Sequence, residues 1–214
     1  MIIVYFDRNV KNSEIYEKAL HGTTTVGLIA KDAVILAADR RATAGTFIAH
    51  RKTRKILKIT DKMALTTAGL VADAQVLADW LNTQMNYLTI TKKQPVTVRE
   101  AAHLLSLLLY RYKLFPFYVQ LILGGYDTAP RLFSLDLYGS LVEEKYTSTG
   151  SGSPIAIGVL EDGYRENMSP EEARKLAVKA VQMALKRDSA TGDGVDSVII
   201  TSEGIKEFSD PVQP

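Results

Sequence analysis

Three residue types at three points in this chain could together run acyl-transfer chemistry. Thr23 follows Gly22 at the head of a threonine-rich apolar run, His21-Gly22-Thr23-Thr24-Thr25-Val26-Gly27-Leu28-Ile29-Ala30. If the Gly22–Thr23 bond is cut, Thr23 carries a hydroxyl and a free α-amine on one residue. An α-amine titrates at roughly 7.7–8.0, so it can take the hydroxyl proton near neutrality, and nucleophile and base come in one unit. Threonines also favour strands for packing reasons alone, so the run by itself decides nothing. Asp39 and Lys55 supply the second part. If strand pairing brings both beneath Thr23, the ammonium favours alkoxide character at the hydroxyl and holds the amine's pKa down, while Asp39 keeps Lys55 charged and aimed. Lys52, Arg54 and Lys58 are the competing cations nearby.

Other routes to chemistry are poorly supplied. The chain has no cysteine, which removes thiolate nucleophiles and disulfides. Its three histidines, His21, His50 and His103, are too scattered for metal-ligand spacing, so neither metal nor cofactor is expected. Gly124-Gly125 lacks the lysine of a phosphate cradle, and no G-x-S-x-G elbow occurs. At 214 residues, 46% hydrophobic and 23% charged, the composition is that of one globular domain. A net charge of +2 with interleaved signs predicts no nucleic-acid surface. The apolar start, Met1 to Phe6, has no basic residues before it and stops at Asp7, and no long apolar run follows. No membrane association and a cytoplasmic location are expected.

The elements that must position these residues follow in order. Residues 1–22 read equally as a leader appended to the domain or as an ordinary N-terminal strand and helix, and 23–214 as the domain itself. Thr24–Ala30 and Ala33–Asp39 read as strands joined by Lys31-Asp32, followed by Ile56–Ile59 and Met63–Gly69. Together these read as one continuous sheet system. Leu70, Ala74, Leu77, Leu81, Met85 and Leu88 line one face of a first helix. Thr97 and Glu100 form a capping box that starts a second, running to about Lys113. Phe117–Leu123, Arg131–Leu137 and Leu141–Tyr146 are further strands. Ile155–Leu160 reads as a close-packed helix, and Ser169-Pro170-Glu171-Glu172 announces another, with a face of Ala173, Leu176, Ala180, Met183 or Ala184, and Arg187. Val195–Thr201 is a last strand, and Asp210 to Pro214 a fraying tail. Strands cluster instead of alternating with helices, which predicts an α+β fold of two packed sheets with helix layers outside.

Several ordered motifs then resemble one family, the proteasome β subunits, and the archaeal type in particular. They are Thr23-Thr24-Thr25-Val26-Gly27, Ala37 to Thr43, Lys55-Ile56, Thr66 to Gly69, Gly150 to Ser153, and Arg187 to Gly194. The resemblance implies a four-layer αββα sandwich of two antiparallel sheets, the N-terminal-nucleophile hydrolase fold. It implies threonine endopeptidase activity on unfolded polypeptides. Thr23 would be the nucleophile after self-cleavage at Gly22–Thr23, with Asp39 and Lys55 as the charged pair that tunes it. Gly69 would donate to the oxyanion, and Ser151, Asp188 and Thr191 would orient the amine. At the last of these the family more often has serine. Ala42, Thr43, Thr53, Thr67 and Val71 would contact substrate, and their small uncharged character implies neutral P1 side chains. The implied partners are proteasome α subunits and other β subunits in an α7β7β7α7 barrel, fed by a regulatory ATPase. Two other roles fit the same residues: an unprocessed structural ring subunit that needs a paralogous β subunit, and an N-terminal-nucleophile amidohydrolase acting on small amides.

Overall fold

A computed structural model describes residues 22–211. The leader expectation for residues 1–22 therefore lies outside the described residues except at Gly22, as do residues 212–214 of the expected tail. Among the described residues, the strands are β1 (Thr25–Ala30), β2 (Ala33–Asp39), β3 (Ala42–Ala44), β4 (Phe47–His50), β5 (Ile56–Thr60) and β6 (Met63–Gly69). Helices α1 (Val71–Lys92) and α2 (Val98–Arg111) come next. The chain continues through β7 (Val119–Tyr126), β8 (Pro130–Leu135), β9 (Leu141–Glu143) and β10 (Tyr146–Thr149) to α3 (Ser153–Gly163) and α4 (Pro170–Leu185). It closes with β11 (Val195–Thr201) and β12 (Gly204–Asp210).

Two five-stranded sheets result, in the orders β10-β1-β2-β11-β12 and β5-β6-β7-β8-β9, antiparallel throughout. Strand β2 shows why they stack. It is buried along its whole length. Ile35 and Ala37 point to α3 and α4, while Val34, Leu36 and Ala38 point to the other sheet. A strand covered on both faces has no polar side to alternate, hence the unbroken apolar run of its sequence. Leu77, Leu81 and Met85 of α1 and Leu105 and Leu109 of α2 fill the outer face of the second sheet. Apolar clusters between sheets and beneath each helix pair make four layers, αββα.

The capping boxes at Thr97 and Ser169 both form, each side chain accepting the N3 amide while Glu100 and Glu172 reach back. In α4 the inward residue is Ala184, and Met183 is exposed.

Several expectations change. The strands before residue 70 are not one sheet: β1 and β2 belong to the first and β5 and β6 to the second. The predicted strand Leu141–Tyr146 breaks at Glu144-Lys145, and its halves pair in different sheets, β9 with β8 and β10 with β1. The hairpin of β3 and β4 and the strand β12 carry no apolar alternation, because most of their residues face solvent.

Candidate active site

One end of the sandwich gathers the chemistry. Register places Thr25 between Ala38 and Thr149 and sets Val195 opposite Asp39. The start of β1, the ends of β2 and β10, and the loop before β11 therefore meet. From the second sheet, Lys55 immediately precedes β5 and Gly69 ends β6. The seven residues singled out for catalysis come from six separate segments and converge here.

Thr23 is 3% exposed. Lys55 Nζ donates to its Oγ1 at 3.0 Å and to Asp39 Oδ1 at 2.7 Å. Lys55 and Asp39 are themselves buried. Desolvation is the largest influence on both: it pushes the Asp39 carboxyl up and the Lys55 ammonium down, and their mutual contact opposes each shift. Asp39 is held by more than that contact. Its Oδ1 also accepts the Thr24 amide at 3.0 Å, and its Oδ2 accepts the amides of Arg41 and Gly192 at 3.1 and 3.0 Å. Four donors fill the carboxylate's acceptor sites, so the pair is fixed in orientation as well as charge.

A second group surrounds the Thr23 nitrogen. Its N–H donates to Ser151 Oγ at 3.2 Å. Ser151 and Thr191 each donate their hydroxyl to Asp188 Oδ2, both at 2.5 Å, and the Ala190 amide reaches Asp188 Oδ1 at 3.2 Å. Thr191 is 1% exposed, and its added methyl is accommodated with the hydroxyl still on Asp188. Gly69 adopts φ +117°, and a Cβ there would lie 2.1 Å from the Tyr118 carbonyl oxygen, so only glycine fits.

Gly22, on the other side of the candidate bond, is buried too. Its N–H donates to Thr43 Oγ1 at 3.2 Å, and a Cβ at this position would sit 1.5 Å from that of Ala190. The slot admits glycine alone.

Beside Thr23 opens a cavity of about 310 Å³ whose wall includes all five expected contacts, Ala42, Thr43, Thr53, Thr67 and Val71. Sequence reasoning missed Leu57 and Gln75 in that wall, and the hairpin residues Ala49 and His50. The only sequence signal for the hairpin was Gly45 between two short runs of mixed character. Among the described residues no group of histidine, aspartate and glutamate is placed to hold a metal, and no helix is long and apolar enough to cross a membrane.

Comparison with known proteins places this geometry in context. Residues 19–200 match the family model described as proteasome subunit. The chain is 56% identical over 192 residues to "Proteasome subunit beta 2" of Hyperthermus butylicus, covering 90% of this chain and 91% of that protein. It is 56% identical over 186 residues to the protein of the same name from Aeropyrum pernix, covering 87% and 85%. With "Proteasome subunit beta 2" of Saccharolobus solfataricus it shares 51% identity over 195 residues, covering 91% and 94%.

Proposed function

From the premise that this chain belongs to the proteasome β-subunit family, a family of protein degradation whose members assemble with other proteasome subunits, we propose that it is a catalytic subunit, a threonine endopeptidase with Thr23 as nucleophile. The observation that carries the reading is the contact of Lys55 Nζ with Thr23 Oγ1 at 3.0 Å while Asp39 grips the same ammonium at 2.7 Å. A buried lysine aimed at a threonine hydroxyl serves no packing purpose that methionine would not serve better.

The mechanism runs in two stages. In the intact chain, Thr23 Oγ1 attacks the Gly22 carbonyl, and a water takes the hydroxyl proton because the amide nitrogen is not basic. Gly22 becomes esterified to Oγ1 as the C–N bond breaks and the nitrogen gains a proton. Hydrolysis of that ester releases the leader's carboxylate and leaves a free amine on Thr23. In each later turnover the amine accepts the hydroxyl proton as Oγ1 attacks the scissile carbonyl of a polypeptide. Gly69 N–H holds the developing oxyanion, the leaving amine takes the proton, and water resolves the acyl ester. Ser151, whose own proton is committed to Asp188, offers the amine an acceptor and so fixes which way its lone pair points. Lys55, next to the hydroxyl, opposes protonation of the amine by like-charge proximity.

The barrel of α and β rings, the regulatory ATPase and a cytoplasmic setting belong to the same reading, since an indiscriminate peptidase is safe only when enclosed. Intact-mass measurement of the assembled subunit tests it. The expected mass lacks residues 1–22; a retained Met1 favours an unprocessed structural subunit instead. The cavity wall adds a substrate preference. Ala42, Leu57, Thr67 and Val71 offer no countercharge to a buried side chain, and the two cations of the same wall are already paired, Lys55 with Asp39 and Arg54 with Glu207. Peptides with neutral P1 residues are expected to be cleaved faster than matched peptides with acidic or basic P1 residues, and the reverse order in kcat/KM would overturn the assignment.

A further inference from the structure

Thr24, which lies between the nucleophile and the start of β1, touches both halves of the apparatus. Its backbone belongs to the charged pair: the amide donates to Asp39 Oδ1 at 3.0 Å, and the carbonyl accepts the Asp39 amide at 3.2 Å. Its side chain belongs to the other group, with Oγ1 2.8 Å from Thr191 Oγ1 and the residue wholly buried.

The direction of that last bond can be worked out. A hydroxyl has one proton. Thr191 commits its proton to Asp188 Oδ2, so Thr24 must be the donor and Thr191 the acceptor. Ser151 likewise gives its proton to Asp188 and receives the Thr23 N–H. Every proton in the group therefore points toward one carboxylate, and Thr24 is the outermost donor of the chain Thr24 to Thr191 to Asp188. Losing its hydroxyl would leave a buried lone pair on Thr191 without a donor and free that side chain to turn.

Resting on the threonine-peptidase reading above, we propose that Thr24 is a positioning residue that couples the Asp39–Lys55 pair to the Ser151–Asp188–Thr191 group, so that the Thr23 hydroxyl and amine are set by one rigid connection. One residue, through its backbone and its side chain, keeps the nucleophile's activator and the base's orienter in a fixed relation. A threonine suits the task because its branch restricts χ1.

The test uses the full chain assembled with its partner subunits, with turnover of a neutral-P1 fluorogenic peptide normalised to freed Thr23 by intact mass. Thr24→Val keeps the shape and removes the donor; kcat is expected to fall about tenfold with KM changed by less than about twofold. Thr24→Ser restores the donor and is expected to recover most of kcat. Wild-type kcat in Thr24→Val overturns the proposal, as does a Thr24→Ser enzyme as slow as the valine variant, which would assign the effect to packing of the methyl. If Thr24→Val does not assemble, Thr24→Ala, which cannot clash, is measured in its place with the same expected loss, and wild-type kcat there is equally fatal. A wild type that retains its leader and turns over no peptide would instead remove the peptidase reading itself, and this inference with it.

Discussion

Thr23→Ala is expected to lose leader release and peptide hydrolysis together, with folding and assembly preserved. The substitution removes the hydroxyl that Lys55 Nζ meets at 3.0 Å and leaves the contacts between the other side chains of the site in place. Loss of a covalent nucleophile elsewhere removes roughly 10⁴- to 10⁶-fold of kcat, so residual turnover should fall to background. Stability should change little. The hydroxyl's net contribution is about 1 kcal/mol, and alanine fills the same strand entry without overlap. Intact mass should show Met1 through Pro214 retained, and a fluorogenic peptide should report no hydrolysis. Peptidase activity persisting in a clean Thr23→Ala assembly would remove Thr23 as nucleophile.

Lys55→Met is expected to cost both activity and stability, and the two costs separate. The Asp39 carboxylate is left buried without its cation, which in comparable cases destabilises by about 3–5 kcal/mol. Adding Asp39→Asn removes the orphaned charge and should recover part of that loss in thermal or denaturant unfolding, the rest persisting because the new NH2 faces backbone amides that the carboxylate accepted. Activity should not return, because neither residue can then act on the Thr23 hydroxyl. Recovery of peptidase activity in the double variant would mean that the pair is architectural. The wild type carries a matching pH signature. Burial lowers the Lys55 pKa from its ordinary 10.5, so as pH rises its ammonium is lost earlier than a surface lysine's. Turnover is therefore expected to decline on an alkaline limb lying below 10.5.

The outline of this fold was legible where burial is two-sided or a cap is specific. The apolar run of β2 and the two capping boxes could be read because water exclusion and orphan N–H groups leave few alternatives. Sheet membership could not. Whether β5 and β6 extend the first sheet or start another depends on long-range pairing that no local pattern records. The exposed strands β3, β4 and β12 carry no alternation to read, and the break between β9 and β10 costs only two residues.

The site divides in the same way. That Thr23, Asp39 and Lys55 meet was legible because their chemistry is unusual enough to make sense together. Thr24 was not, since a second threonine in a strand needs no explanation until its partner on a distant loop is seen. Leu57 and Gln75 reach the cavity from β5 and α1 only after the sheets stack.

The sealed slot around Gly22 has a consequence for timing. With its N–H held by Thr43 and no room for a methyl beside Ala190, the Gly22–Thr23 bond is withdrawn from solvent. A foreign protease could reach it only after local unfolding had drawn the segment out, and that unfolding would dismantle the surroundings of Thr23 as well. If self-cleavage arms the subunit as proposed, arming is an internal clock: the bond can be broken only by a site that has already been built, so no half-formed copy can be switched on from outside.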